Sequence, residues 1–236
     1  MTVDSVPDKA PDRIAGMFDA IAPRYDLLNH LLSAGIDRRW RATAIRSLGL
    51  TGRETLLDVC TGTADVALQA RGAARVIGVD FAGAMLAVGR RKVRAAGQDR
   101  RVTLMRGDAT QLPLRDGSVD AVTVAFGIRN VERPERACAE MARAMRSGAR
   151  LAILEFGVPR IPGISTLYLW YFKYLLPRVG RIVSGHTAAY SYLPASVGTF
   201  PPPGAFVSLL QQAGFTDVRA DSLTLGIVYL YTARKG

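Results

Sequence analysis

The stretch Leu56–Asp65, LLDVCTGTAD, runs from an apolar strand into a turn of small residues and then into the start of a helix. Such a turn lets a ligand approach the backbone closely, because large side chains would fill the space. The G-x-G-x-x-G spacing of a dinucleotide-binding turn is absent, since Gly62 is the only glycine in the stretch. The acidic Asp58 at the strand end would repel a pyrophosphate and suit a cation.

Two further acidic residues follow the next two predicted strands. Asp80 lies 22 residues after Asp58 and is placed to accept hydrogen bonds from ribose hydroxyls, and Asp108 could meet an adenine amino group. Each one alone could merely cap a helix. Three carboxylates at successive strand ends instead define the crevice where open α/β sheets bind ligands. The pattern favours a methyltransferase that uses S-adenosyl-L-methionine, whose α-ammonium is the cation, over a nicotinamide enzyme. The predicted cofactor contacts are Asp58, Thr61, Gly62, Thr63, Asp80, Phe81, Asp108, Ala109 and Ala125.

Outward from this turn, short apolar runs alternate with helical patterns, which predicts an α/β fold with a mostly parallel, seven-stranded sheet. Strands are predicted at Thr55–Val59, Arg75–Val79, Val102–Met105, Val119–Val124, Arg150–Leu154, Asp217–Asp221 and Gly226–Thr232. Helices are predicted at Asp12–Ile21, Ile36–Leu48, Ala64–Arg71, Ala82–Ala96, Pro134–Met145 and Gly204–Ala213. We expect one domain over 1–236: an N-terminal helical cap (1–50), a cofactor-binding core (51–155), an inserted helical segment after the fifth strand (156–216) and closing strands (217–236).

The composition is that of a globular protein, with 49% hydrophobic and 22% charged residues, which excludes a mostly disordered or fibrous chain. The net charge of +11 suggests a polyanionic partner, nucleic acid or an anionic membrane, although the 27 Arg and 4 Lys also fit compositional drift. Two cysteines exclude a disulfide scaffold, and no metal-binding spacing is found. Without a signal peptide or a spanning segment, the sequence predicts a cytoplasmic protein.

Several motifs together resemble one family, the UbiE-type C-methyltransferases of quinone biosynthesis. They are YDLLNHLLS at Tyr25–Ser33 followed by Trp40, FGIRNV at Phe126–Val131, LEF at Leu154–Phe156, YSYLPAS at Tyr190–Ser196 and AGF at Ala213–Phe215. The similarity runs from Met17 to Lys235. Ala125 departs from the Ser that often stands there in the family, and Asp37 from a frequent His.

The resemblance implies a Rossmann-like class I fold and methylation of a ring carbon on a prenylated quinol, either demethylmenaquinol or the benzoquinol precursor of ubiquinone. Arg129 would bind a developing phenolate or orient a water, Asn130 would hold that oxygen or water, and Tyr25 would supply a hydroxyl from the cap. Alternatively, Arg129 is a surface arginine paired with Glu132. Glu155, His30 and His186 are weaker candidates, since such residues often only tie down structure.

The segment 156–216 combines cations with aromatic residues. It holds 11 of the 18 aromatic residues and no Asp or Glu. A long prenyl substrate resides in the bilayer, so we expect peripheral attachment to an anionic membrane through about residues 160–182. A packed cap helix or a homodimer contact are the alternatives.

Other functions compete with this interpretation. An RNA methyltransferase would use the positive charge, but the Asn/Asp-Pro-Pro-aromatic motif of base amino methylases is replaced by Ala125–Arg129, so we expect no nucleic-acid partner. A natural-product C-methyltransferase and a non-catalytic cofactor-binding regulator stay open, as does the choice between the two quinones.

Overall fold

The computed structural model describes residues 9–159, 161, 163–170, 174 and 188–236. Seven strands form one sheet in the order β3-β2-β1-β4-β5-β7-β6. The strands are β1 Thr55–Val59, β2 Arg75–Asp80, β3 Val102–Arg106, β4 Val119–Ala125, β5 Met145–Phe156, β6 Phe215–Leu223 and β7 Val228–Lys235. All pairs are parallel except those that β7 makes with β5 and β6. The predicted α/β fold is confirmed.

Helices cover both faces of this sheet and its N-terminal side. They are α1 Pro11–Ile21, α2 Tyr25–Leu32, α3 Asp37–Ser47, α4 Asp65–Gln69, α5 Gly83–Ala95, α6 Pro134–Ala144, α7 Ile164–Trp170, α8 Ala188–Thr199 and α9 Pro203–Gln212. A single turn of 3₁₀-helix, Ile128–Asn130, follows β4. Among the described residues, no helix is both long enough and apolar enough to cross a bilayer.

The core lies on both sides of β1, whose last four residues are buried. Leu57 packs into a cluster with Met141 of α6 and Phe206 of α9, whereas Leu56 packs into a second cluster with Trp40 of α3. Alternate residues of a strand point to opposite faces, so burial on both faces requires the continuous apolar run that the sequence has here. Because β2, β1 and β4 are parallel, their carboxyl ends lie on the same side of the sheet, where the small-residue turn follows β1.

The predicted helix Pro134–Met145 and the predicted strand Arg150–Leu154 needed correction, since the strand extends over Met145–Phe156. The helix predicted to end at Met145 ends at Ala144, because Met145 adopts an extended conformation and pairs with Val119 at the start of β5. The Ser147-Gly148 signal marks an irregularity inside this long strand, where Gly148 has φ +74°, rather than a helix stop. Helix α2 was not predicted at all. The division of the chain into one domain stays a prediction, since part of 156–216 lies outside the described residues.

Candidate active site

The turn after β1 bends sharply around small residues. Cys60, Gly62 and Ala64 have φ values of +55°, +55° and +67°, a left-handed conformation that glycine adopts without strain. Gly62 is buried, and a Cβ there would lie 3.3 Å from Cε of Met85. The turn thus presents backbone rather than side chains, which is what close approach of a ligand requires.

Asp80 at the end of β2 braces this turn. One of its carboxylate oxygens accepts a hydrogen bond from the backbone N–H of Gly62 at 2.8 Å, and the other accepts one from Ala82 at 2.9 Å. Burial raises the pKa of Asp80 above its ordinary value, and the backbone donors oppose that shift. The carboxylate is therefore held in place before any ligand arrives.

Asp58 at the end of β1 is almost completely buried. The hydroxyl of Thr61 donates to its carboxylate at 2.6 Å. Burial, with the nearby charge of Asp80, raises the pKa of Asp58 to about 7, although Thr61 acts in the opposite direction. Near neutral pH this carboxyl group is therefore about half ionised. A cationic ligand favours the ionised form, so binding of a cation would draw the group into that form.

Cys60, in the turn after β1, is within electrostatic range of several acidic side chains. Burial raises the pKa of its thiol, and the charges of four carboxylates (Asp80, Asp58, Glu155 and Asp108) raise it further. A protonated thiol is a poor nucleophile, so this cysteine fills space rather than relaying a methyl group. These charges come from the ends of β1, β2 and β5 and from the turn after β3, so these four positions lie near one another.

The remaining predicted cofactor contacts lie around the crevice. Asp108 is exposed and accepts a hydrogen bond from the backbone N–H of Thr110 at 2.7 Å, so it does cap its own turn. Ala109 is buried beside it. Phe81 and Ala125 are half-buried at the ends of β2 and β4. The open turn and the acidic strand ends together fit the amino-acid, ribose and adenine parts of S-adenosylmethionine.

On the other side of the crevice, Arg129 follows β4 and is buried, with 6% of its surface exposed. Its guanidinium pairs with the fully buried Glu155 at 2.7 Å, and its backbone N–H donates to the same carboxylate at 3.1 Å. The side chain also donates to Ser196 of α8 at 3.3 Å and lies over the ring of Phe156. The alternative of a surface arginine paired with Glu132 is wrong.

Next to this ion pair, two buried polar atoms have no hydrogen-bond partner among the described residues. They are Oδ1 of Asn130 and the hydroxyl of Tyr192 on α8. A third such atom, Oγ1 of Thr123, lies inside the core on β4. Unpaired polar atoms are costly to bury unless a ligand or water satisfies them. The pair beside Arg129 therefore indicates a position for the polar part of a second ligand.

The N-terminal cap reaches both halves of the crevice. Tyr25 is half-buried and packs edge-on against Phe18 with ring centroids 6.0 Å apart. Burial raises the pKa of Tyr25, while the charges of Arg129 and Arg41 lower it and that of Asp80 raises it. Its hydroxyl thus lies within electrostatic range of residues on both sides.

The cap is fastened by ion pairs that the sequence did not reveal. Asp26 of α2 pairs with Lys92 of α5 at 2.6 Å and accepts a hydrogen bond from Thr63 in the cofactor turn. Lys92 also pairs with Asp65 of α4, and Asp19 of α1 accepts a bond from the N–H of Ala84 at 2.7 Å. For the pairing of Asp26 with Lys92, the sequence offers no more than the presence of Asp26 in the YDLLNHLLS motif.

Of the two candidate histidines, the structure describes only His30, which takes no part in the described crevice. His30 bonds through Nδ1 to Asp37 at 2.9 Å, within the cap. His186 lies outside the described residues.

Comparisons with known proteins agree with this interpretation of the site. The model of the ubiE/COQ5 methyltransferase family matches residues 7–235. The chain belongs to this family. A ubiquinone/menaquinone biosynthesis C-methyltransferase UbiE of Geobacter sp. strain M21 is 45% identical over 228 residues, which cover 95% of this chain and 97% of that protein. A demethylmenaquinone methyltransferase of Thermus thermophilus is 44% identical, over 91% of this chain and 98% of that protein.

Solved structures show the same fold at low sequence identity. The [4+2]-cyclase SpnF superposes with a TM-score of 0.72 at 17% identity, covering 98% of this chain and 97% of that one. A methyltransferase of Thermotoga maritima described as a possible histamine N-methyltransferase has a TM-score of 0.66 at 18% identity, covering 94% and 100%. These likenesses confirm the Rossmann-like class I fold, and membership of the UbiE/COQ5 family confirms S-adenosylmethionine as the cofactor.

Proposed function

We propose that this UbiE/COQ5 family member methylates a ring carbon of a prenylated quinol, either demethylmenaquinol or the benzoquinol precursor of ubiquinone. Relatives named for these reactions align with more than nine-tenths of the chain. The observation that carries the proposal is the buried pair of Arg129 and Glu155, set across the crevice from the acidic cofactor turn.

The roles of the acceptor-side residues follow from what the chemistry demands. S-adenosylmethionine supplies an electrophilic methyl group when bound. The quinol ring becomes a stronger carbon nucleophile when one hydroxyl loses its proton, so negative charge develops on that oxygen. Arg129 stabilises this charge or orients the water that takes the proton, and the unpaired Oδ1 of Asn130 accepts a hydrogen bond from the hydroxyl or water. Tyr25 adds a hydroxyl from the cap side.

Glu155 is a positioning residue in this scheme. Its carboxylate holds both the backbone and the guanidinium of Arg129, which fixes the direction of the side chain. A preorganised donor costs no rearrangement as the charge develops. The acceptor side would lose this advantage if Arg129 were free to move.

The decisive experiment compares Arg129→Lys and Arg129→Ala with the wild-type chain. We expect both variants to bind S-adenosylmethionine normally, because the cofactor side keeps its own hydrogen bonds. Methyl transfer from labelled cofactor into extracted quinols should fall about 10²-fold or more in Arg129→Ala. Arg129→Lys keeps the charge and separates loss of charge from loss of geometry. Undiminished methylation by Arg129→Ala would refute the assignment of Arg129, and transfer of label to RNA but not to quinols would refute the function.

We also propose that the enzyme works at an anionic membrane surface, where its prenylated substrate resides. Most of the stretch expected to attach, 160–182, lies outside the described residues. The described residues of this stretch include the exposed Ile161, Trp170 and Tyr174, and aromatic side chains favour membrane interfaces. Sedimentation with anionic vesicles would support attachment, and failure to bind them would contradict it. The homodimer stays a prediction.

A further inference from the structure

Helix α2 exposes an apolar stripe, formed by Leu27 and Leu31, to solvent. Leu28 is buried and packs with Ile21 of α1 and Tyr168 of α7. Leu27 and Leu31, one turn apart on the outer side of the helix, are 60% and 54% exposed. Ile36, just before α3, is also exposed. Leucines exposed to this degree at i and i+4 indicate a surface that contacts an apolar medium.

A cationic cavity opens beside this stripe, between α2, α3 and α4. Its volume is about 310 Å³, and its lining includes His30, Arg38, Arg41, Asp65 and Arg71. His30 belongs to α2 and is the chain neighbour of Leu31. Residues three apart are neighbours on a helix surface, so Leu27 of the stripe lies beside the His30 rim of the cavity.

The charges of this cavity are unequally compensated. Arg41 is buried and pairs with Asp37 and, at 3.3 Å, with Asp65. Arg38 and Arg71 are exposed, and neither forms an ion pair with any residue that the structure describes. The carboxylates of Asp37 and Asp65 are thus paired with Arg41 and Lys92. The guanidinium groups of Arg38 and Arg71 keep their hydrogen-bond donors available to a ligand.

We propose that this cavity binds the phosphate of an anionic phospholipid headgroup while Leu27 and Leu31 enter the membrane interface. A guanidinium matches phosphate oxygens with paired donors, so Arg38 and Arg71 provide the charge complementarity. Adjacent leucines and cations are the combination that holds an interfacial helix on an anionic surface. The inference rests on the proposed function, because that function requires access to a membrane-held quinol.

The position of this surface suits such access. Tyr25 and Leu27 belong to the same helix, so docking through Leu27 and Leu31 brings the cap side of the crevice next to the lipid. Asp26 of this helix is tied to Thr63 of the cofactor turn and to Lys92. A headgroup bound beside α2 would therefore orient the crevice, and not only the protein surface, towards the membrane.

The test uses the full chain and two matched double variants. Arg38→Gln with Arg71→Gln removes two charges from the cavity. Arg115→Gln with Arg219→Gln removes two exposed charges outside the cavity lining, one from the loop before β4 and one from the edge strand β6. Binding to vesicles of phosphatidylcholine with and without phosphatidylglycerol is measured by sedimentation. We expect the cavity variant to lose about 25-fold in affinity for the anionic vesicles, about fivefold per arginine, and the control variant to stay within about twofold.

A third variant, Leu27→Ser with Leu31→Ser, tests the apolar half of the surface and should also weaken vesicle binding. Equal losses in the cavity and control variants would mean that overall charge alone attracts the protein, which overturns the site. Unchanged binding by the cavity variant overturns it as well. Competition by soluble glycerol phosphate that requires Arg38 and Arg71, without vesicle binding, would reassign the cavity to a free phosphate ester and overturn the lipid proposal.

Methylation of a short-chain quinol in solution separates this inference from the function on which it rests. We expect the cavity variant to methylate this soluble substrate at the wild-type rate. A wild-type chain that methylates no quinol would refute the function. Wild-type methylation together with undiminished vesicle binding by the cavity variant would refute the headgroup site alone.

Discussion

The two sides of the crevice are built differently. On the cofactor side, carboxylates accept hydrogen bonds from groups next to them, as Asp80 does from Gly62 and Asp58 from Thr61. On the acceptor side, one buried ion pair lies beside polar atoms that have no partner among the described residues, on Asn130 and Tyr192. The hydrogen bonds of the cofactor side are thus formed before its ligand arrives. The acceptor side leaves hydrogen-bonding capacity for the acceptor or for water, which suits a site where charge develops only during reaction.

The largest effect is expected from breaking the ion pair of the acceptor side. Glu155→Ala leaves Arg129 buried without its counter-charge, and we expect a loss of about 3–5 kcal/mol in the free energy of unfolding. The double variant Glu155→Met with Arg129→Met should recover most of that loss, since neither charge is then buried alone. Urea unfolding of the single and double variants measures both. A loss below about 1 kcal/mol in Glu155→Ala would show that the pair is already solvated.

The next effect concerns the cofactor turn and has a matched control. Gly62 and Gly117 have almost the same backbone conformation, with φ values of +55° and +56°, but only Gly62 has a near neighbour for an added Cβ. Changing either to Ala should cost about 1 kcal/mol in stability, because both positions are left-handed. Only Gly62→Ala should weaken cofactor binding, by about tenfold or about 1.4 kcal/mol. Calorimetric titration with S-adenosylmethionine checks this, and equal affinities in the two variants would contradict a cofactor cradle at Gly62.

The sequence predicted the arrangement of the cofactor side more fully than that of the acceptor side, for a physical reason. The strand–turn–helix at Leu56–Asp65 is local, and parallel strands bring their carboxyl ends together whatever lies between them. The pairing of Arg129 with Glu155 spans 26 residues and that of Asp26 with Lys92 spans 66, so neither has a local signal. Helix α2 was not predicted, and its leucines do not mark a single buried face, since Leu28 is buried but Leu27 and Leu31 are exposed.

The pH dependence of cofactor binding tests the buried carboxylate of β1. The pKa of Asp58 is raised from an ordinary 3.8 to about 7 by burial, so at pH 6 most molecules carry the neutral acid. A cationic ligand selects the ionised form, and the affinity for S-adenosylmethionine should therefore rise about tenfold between pH 6 and pH 8. Asp58→Asn should bind more weakly and lose this dependence. A flat profile in the wild-type chain would show that Asp58 is already ionised at pH 6.

The raised pKa of Asp58 also makes the stability of the protein depend on pH. Between about pH 4 and pH 7, the native state keeps a proton on Asp58 that the unfolded chain has released. The free energy of unfolding contributed by this group therefore falls as the pH rises through that range. Asp58→Asn should flatten that part of the profile, because Asn does not titrate, and urea unfolding across the range measures it.

The smallest effect distinguishes two hydroxyls on helix α8. The hydroxyl of Ser196 is satisfied, since it donates to the carbonyl of Leu193 at 2.9 Å and accepts from Arg129. That of Tyr192 has no partner among the described residues. Ser196→Ala should therefore cost about 1 kcal/mol in stability, whereas Tyr192→Phe should change it by less than about 0.5 kcal/mol. If the hydroxyl of Tyr192 is kept for the acceptor, Tyr192→Phe should raise KM for the quinol about threefold to tenfold while cofactor affinity stays constant. A stability loss in Tyr192→Phe equal to that of Ser196→Ala, with KM unchanged, would mean that the hydroxyl serves the fold and that the acceptor side is as complete as the cofactor side.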